Sequence, residues 1–259
     1  MNRIKAIIKY QFSDYRHVIL IMYLSVYFVY VFSVVSMHFI AGNNNAIRFG
    51  SISGLEMASA ITIFVIGLNS FKEDFKFFSV NGISRKTQFC STAAALGILS
   101  ALFALIDTIN CIIFSLSLYY RPWFLQIYGS RFGYSNWENV SSFALTPQIL
   151  FEDFLWLLFT YFFACMVGYF ITTLYYRMNK GLKIAVSIAV PVFLLNGLDA
   201  LDYYFLNGRI NAFLQYFVKT AWGITSGYNP YIAMVSLCVF AAVFAVLAFL
   251  LARKAVIKR

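Results

Sequence analysis

Six stretches of this chain, residues 18–41, 52–71, 89–119, 149–175, 184–206 and 231–252, are long, apolar and almost free of charge. Each is close to or above the ~20 residues that a helix needs to cross the ~30 Å hydrocarbon layer of a bilayer. Within that layer every backbone N–H and C=O must be satisfied by the chain itself, which leaves helices or a closed barrel. Uninterrupted apolar runs select helices. The expected fold is therefore an all-α integral membrane protein with six transmembrane helices. Composition agrees: 61% of the 259 residues are hydrophobic and 12% are charged, against ~25% charged in an ordinary soluble domain. Disorder, which needs low hydrophobicity and high charge, is excluded. The third stretch is long enough to protrude or break. Pro191 in the fifth removes a backbone donor and predicts a kink.

The chain has 20 Lys and Arg against 10 Asp and Glu, a net charge of +10. A basic balance can serve phosphate binding, or it can record topology, because cytosolic loops accumulate Lys and Arg. Placing both termini in the cytosol puts fifteen of the 20 inside and leaves Arg48, Arg121, Arg131, Arg209 and Lys219 outside. The charge is thus a topology signal for a multi-pass protein, and it gives no support to a nucleic-acid partner. Trp123, Trp137, Trp156 and Trp222 fall in or near the outer half, where amphipathic rings settle at an interface. The first apolar run, 24 residues long, exceeds the ~7–15 residues of a cleavable signal and reads as a retained anchor. Cys90, Cys111, Cys165 and Cys238 lack CxxC spacing, which predicts ordinary packing.

Residues 1–17 place Ile4, Ile7, Ile8 and Phe12 at helical spacing among Arg3, Lys5, Lys9 and Arg16. This pattern predicts an amphipathic helix on the membrane surface, or a basic flank of the first span that happens to be helical. In the first cytosolic connection, 72–88, Phe71, Phe75 and Phe78 share a helical face at i, i+4 and i+7. Asn81-Gly82 breaks that helix and Ser84 can cap the next, which opens with Arg85 and Lys86. The phenylalanines read either as a knob offered to a partner or as side chains dipping into the membrane interface.

The order of these elements resembles that of ABC-2-type transporter permeases. The basic N-terminal helix, the six spans and the Asn-Gly-x-Ser-Arg-Lys turn at Asn81–Lys86 carry the likeness, which covers essentially the whole chain. It implies one transmembrane permease domain over 1–259, in a bacterial plasma membrane. It also implies a separately encoded ABC ATPase that holds ATP and Mg, with no cofactor in this chain, and a second permease subunit, identical or related. In that family the first cytosolic loop docks on the ATPase, a role that falls here on Glu73, Phe75, Phe78, Asn81, Gly82 and Arg85. Residues 207–230, rich in Phe213, Tyr216, Phe217 and Trp222, resemble the short re-entrant outer helices of such permeases. Gly223 and Gly227 have GxxxG spacing outside any apolar 20-mer, a weak pairing signal.

Motifs for chemistry are few. No Gly precedes a Lys, so the phosphate loop GxxxxGK[ST] is absent, as are HExxH and GxSxG. His17 and His38 are isolated, and no metal site or catalytic residue is assigned. Polar residues inside spans carry functional suspicion because they are costly there. Asp107 and Asn110 share a face of the third span, and Asn196, Asp199 and Asp202 form a stripe toward the outer end of the fifth. All five are candidates for a translocation path; Glu152, Asp153, Asp199 and Asp202 read more simply as headgroup-level acids in water. The function expected is ATP-driven export of an amphipathic or antimicrobial peptide or other hydrophobic cargo. The alternatives are a membrane-embedded enzyme acting on lipid or peptide, with Asp107 near its chemistry, and a non-transporting immunity or scaffold protein.

Overall fold

The structure is a computed structural model that describes residues 2–41, 54–117, 120–133, 145–203 and 208–253. Expectations that fall on the 42–53 connection, on Trp137, on the outer Arg48 and on the C-terminal basic residues lie outside the described residues, as do those on the side chains of Arg3, Ile4, His38 and Glu73. The described residues hold ten α-helices and no strand: α1 (Asn2–Ala41), α2 (Leu55–Asn69), α3 (Lys72–Val80), α4 (Arg85–Ser117), α5 (Trp123–Tyr128), α6 (Pro147–Arg177), α7 (Lys180–Val192), α8 (Leu198–Leu201), α9 (Arg209–Ala221) and α10 (Pro230–Arg253). A 3-10 turn, Gly129–Phe132, follows α5, and a π-helical turn, Phe193–Gly197, joins α7 to α8.

Among the described residues five helical segments are long and apolar enough to cross a membrane: Lys5–Ser36, Leu55–Val80, Arg85–Ser115, Pro147–Arg177 and Pro230–Arg253. An all-helical chain with several such segments is compatible with a multi-pass membrane protein. The remaining apolar run, 184–206, falls on α7, the π turn and α8. Pro191 offers no N–H to the Ser187 carbonyl, and the helical ladder widens to i→i+5 spacing just beyond it. The irregularity sits where the proline predicts one.

The N-terminal segment differs from the surface-helix expectation. Residues 2–41 form one uninterrupted helix of 40 residues, about 60 Å at 1.5 Å per residue and about twice the hydrocarbon thickness. Ile7, Gln11 and Tyr15 are buried, and Met22, Val26 and Tyr30 continue the same seam. Gln11 donates to Asp74 on α3 (2.5 Å) and to the Thr92 hydroxyl on α4 (3.1 Å), and Tyr15 pairs with Ser70 (2.9 Å). Of the apolar stripe, Ile7 is buried against the chain and Ile8 and Phe12 are half-buried, and the continuous helix fits the other reading, a basic helical flank of the first span.

The broadest helix contact joins α2 to α6, and α6 also packs on α10 and α4. Gly67 and Gly168 sit where the α2 and α6 backbones meet: a Cβ on Gly67 would collide with the Cys165 carbonyl, and one on Gly168 with the Phe64 carbonyl. The Thr172 hydroxyl donates to the Leu68 carbonyl at this crossing. Small residues that let backbones touch are what membrane helices use in place of a hydrophobic driving force. By contrast, α7 and α9 bury none of their described side chains. The GxxxG pair does not pack helices. Gly223 and Gly227 lie in the turn between α9 and α10 with φ of 67° and 75°, a conformation that favours glycine.

Gly168→Ala separates two opposing effects. Helix propensity alone favours alanine by about 0.5–1 kcal/mol, whereas overpacking a tight contact costs about 1–3 kcal/mol. The collision with backbone makes the second effect win, so thermal melts in detergent should show a lower midpoint for Gly168→Ala. Gly181→Ala, which meets nothing within 4 Å, should melt at or above wild type.

Candidate functional site

Near the end of the bundle where α2 and α6 begin, four helices bring polar side chains together in the interior. Asp107 and Asn110, one turn apart on α4, both point inward. Asp107 accepts hydrogen bonds from Tyr161 on α6 (2.5 Å) and Tyr23 on α1 (3.0 Å), and the Asn110 carbonyl oxygen accepts one from Tyr27 on α1 (2.5 Å). Tyr161 also contacts the Glu56 backbone carbonyl (3.3 Å). A phenol is well matched to such a place, since its ring is buried as hydrocarbon while its O–H satisfies a carboxyl.

Two further acids complete the cluster. Glu56, in the first turn of α2, accepts from the Trp123 N–H at 3.4 Å and faces the Tyr120 phenol. Asp153, in the second turn of α6, is 1% exposed, and neither of its oxygens has a hydrogen-bond partner among the described residues. The second oxygen of Glu56, itself 2% exposed, also has none. Asp153 interacts electrostatically with Glu56 and Asp107. Among the described residues no group of three or more His, Cys, Asp or Glu is placed to hold a metal ion.

Helix α5 lies across this end. Trp156 is fully buried against rings from Trp123, Phe124, Tyr128 and Trp222. The Tyr128 hydroxyl donates to the Trp222 carbonyl (3.0 Å). Burial pushes that phenol up to about 12, so it remains a donor throughout the neutral range. Glu152 is closed off by Gln148 and Tyr231 (3.1 Å each) and by Arg131 (3.6 Å).

The expectation that Glu152, Asp153 and Asp202 are bathed in water fails, because all three are buried. Asp202 accepts the backbone N–H groups of Ile210 (2.8 Å) and Asn211 (2.9 Å), so its carboxylate caps α9. Free N–H groups and the helix dipole favour an anion there. Asp199 and Asn196 are exposed, and Asp199 accepts from the Asn211 amide (3.2 Å). The structure therefore brings Asp107 and Asn110 together but leaves Asn196, Asp199 and Asp202 out of their cluster. Sequence reading missed Glu56 and the phenols as members. The signal present was Tyr23, Tyr27 and Tyr30 at helical spacing inside an apolar run, and Asp153 two turns before Tyr161.

At the other end, α3 forms an elbow between α2 and α4. Asn81 and Gly82 break it as expected, with Gly82 at φ 67°, and Ser84 caps α4 by accepting the Thr87 N–H (3.2 Å). The phenylalanines do not form an outward knob, nor do they rest in the interface. Phe75 is 1% exposed and Phe78 2%. Phe71 and Phe75 pack against Tyr176, and Phe78 packs edge-on to Tyr10. The side chains left outward are Lys76, Phe77, Val80 and Asn81, with Val80 82% exposed. Arg85 donates to the Arg253 carbonyl at the C-terminus of α10 (2.5 Å). All four cysteines are free, with Cys111 and Cys165 buried and Cys90 and Cys238 exposed. No known family model, curated protein or solved structure matches this chain.

An interhelical hydrogen bond within a membrane is worth about 0.6–2 kcal/mol. Asp107→Ala removes the acceptor of two, and should destabilise the protein by about 1–4 kcal/mol; Tyr161→Phe removes one to Asp107 and should cost about half as much. Melting curves of both variants in one detergent check the order, which reverses if Asp107 is structurally idle.

Proposed function

We propose that this chain is the membrane-spanning permease subunit of an ATP-driven exporter of the ABC-2 type, working with a separate ATPase. The observation that supports this reading is α3. It is a nine-residue helix held between two spans and rooted in the bundle by Phe71, Phe75 and Phe78. It carries an outward edge of Lys76, Phe77, Val80 and Asn81. Buried aromatic roots and a mixed basic and apolar outer edge suit an element that is pushed from outside and moves its own chain. The edge is flanked by the exposed Lys5, Lys9, Arg85 and Lys86, as expected for a cytosolic surface.

On this reading both termini are cytosolic, α7 to α8 supply the sixth span, and α5 and α9 are the short outer helices. Helix α7 buries none of its described side chains against its own chain, which suits a second permease subunit, identical or related, across the path. The cargo class that fits is an amphipathic peptide or another hydrophobic molecule, because apolar and aromatic groups dominate the exposed spans. ATP and Mg belong to the partner ATPase.

The docking residues to test are the exposed ones. Lys76→Glu combined with Val80→Asp removes an apolar anchor and reverses the charge of the basic edge, while leaving Phe77 on Tyr10 and Phe78. Loss of an interface anchor costs roughly 2–4 kcal/mol, or roughly 30- to 1,000-fold in affinity. Co-purification of a partner ABC ATPase should fall accordingly while melting temperature holds. Equal recovery by wild type and the double variant would remove the support that α3 gives.

A further inference from the structure

The acids whose side chains are described can be assigned one by one. Asp107 takes two phenols, Glu152 takes an amide, a phenol and Arg131, and Asp74 takes the Gln11 amide. Asp202 caps α9, Asp199 takes the Asn211 amide, and Asp14 is exposed. Glu56 and Asp153 remain. Among the described residues four buried carboxyl oxygens have no hydrogen-bond partner: one, on Glu152, faces Arg131 at 3.6 Å, and the other three belong to this pair, whose members interact electrostatically. A carboxyl removed from water without a partner is expensive unless a proton or a counter-ion accompanies it. A metal ion has no cage here, since no three-ligand group is present among the described residues. A proton needs none.

The pair stands near one end of the spans. Glu56 lies in the first turn of α2, bonded to the Trp123 N–H at the start of α5 and beside the Tyr120 phenol, and Asp153 lies in the second turn of α6. Buried acids inside membrane helices are the groups from which proton-handling sites are built.

We propose that Glu56 and Asp153 form a proton-exchange site, loaded and unloaded from the side on which α2 and α6 begin while the protein stays folded. Loading forms one O–H bond at a carboxylate oxygen and takes the proton from hydronium, leaving water. The titratable groups that face Asp153 are Glu56 on α2 and Asp107 and Cys111 on α4. Proton exchange here involves this chain alone and does not rest on the export reading, so either can fail without the other.

Infrared difference spectra of the full chain in nanodiscs, between mildly acidic and mildly alkaline buffer, test it. Wild type should show a protonated-carboxyl C=O band that appears and disappears reversibly with its melting temperature intact. Asp153→Asn and Glu56→Gln should each lose or shift that band, and Asp199→Asn, exposed and outside the cluster, should keep it. Replacing sodium by choline at constant ionic strength should leave it unchanged. A wild-type band that does not respond to pH overturns the proposal by itself, whatever the variants do. So does a band that both variants retain at full amplitude, and a band that sodium abolishes assigns the site to an alkali ion instead.

Discussion

The close crossing of α2 and α6 is the contact on which the other helices depend. Gly67 and Gly168 let the two backbones meet, and nothing larger fits at either place. In a bilayer the lipid tails compete equally with any leucine, so helices associate through close contact and hydrogen bonds rather than through escape from water. This crossing supplies both, with Thr172 bonded to Leu68. It also fixes what lies beyond it. Toward one end of the pair stand Glu56 and Asp153; at the other, α2 turns into α3 and Phe71 reaches Tyr169 and Tyr176 on α6. One rigid pair therefore sets the spacing of the acid cluster and the seat of the elbow.

The interior polarity follows a recurring pattern. Buried hydrophilic groups find a phenol, hydroxyl or amide on another helix: Gln11 with Asp74 and Thr92, Tyr15 with Ser70, Tyr23 and Tyr161 with Asp107, Tyr27 with Asn110. On α1 and α6 the partners in these links are tyrosines except for Gln11, and a tyrosine keeps most of its surface apolar, which fits a lipid-embedded bundle. The links join α1 to α3, α4 and the end of α2, so α1 is attached along its length although its outer face is open. Single unbonded atoms remain on Gln11, Tyr30, Asn110, Glu152, Trp156 and Glu56, but among the described residues Asp153 is the one buried acid with neither oxygen hydrogen-bonded.

Much of the fold is legible in the sequence because length and hydropathy act locally. A run of apolar residues is helical in a bilayer whatever it packs against, and five such helices form. The turn at Asn81-Gly82, the Ser84 cap and the irregularity after Pro191 are likewise set by residues within one turn of the effect. The site is less legible. Hydropathy counts tyrosine as a half-apolar filler, and it cannot say that Tyr23 and Tyr161 meet over Asp107 from helices far apart in the chain. The acids at 152, 153 and 202 look headgroup-level in the sequence because they stand near helix ends. Depth along the chain is not depth in the structure: Gln148, Tyr231 and Arg131 close over the first, the second is buried among the helices, and α9 returns to take the third as its cap.

The same distinction governs α3. Periodicity places Phe71, Phe75 and Phe78 on one face, but period alone does not tell whether that face looks outward to a partner or inward to the chain. Burial decides for the inside, and that changes how the elbow works on the export reading. An exposed aromatic knob would make docking strong but leave α3 loosely tied to the spans. With the rings sunk against Tyr176, and with Asp74 bonded to Gln11, α3 is fastened to α6 and α1 at once. A force on Val80 or Phe77 then moves against packed side chains, which are bistable rather than continuously deformable. The attachment reaches α4 through Thr92 and α10 through Arg85 and the Arg253 carbonyl. Buried roots thus make α3 a better lever than an exposed knob would, at the expense of contact area for the partner.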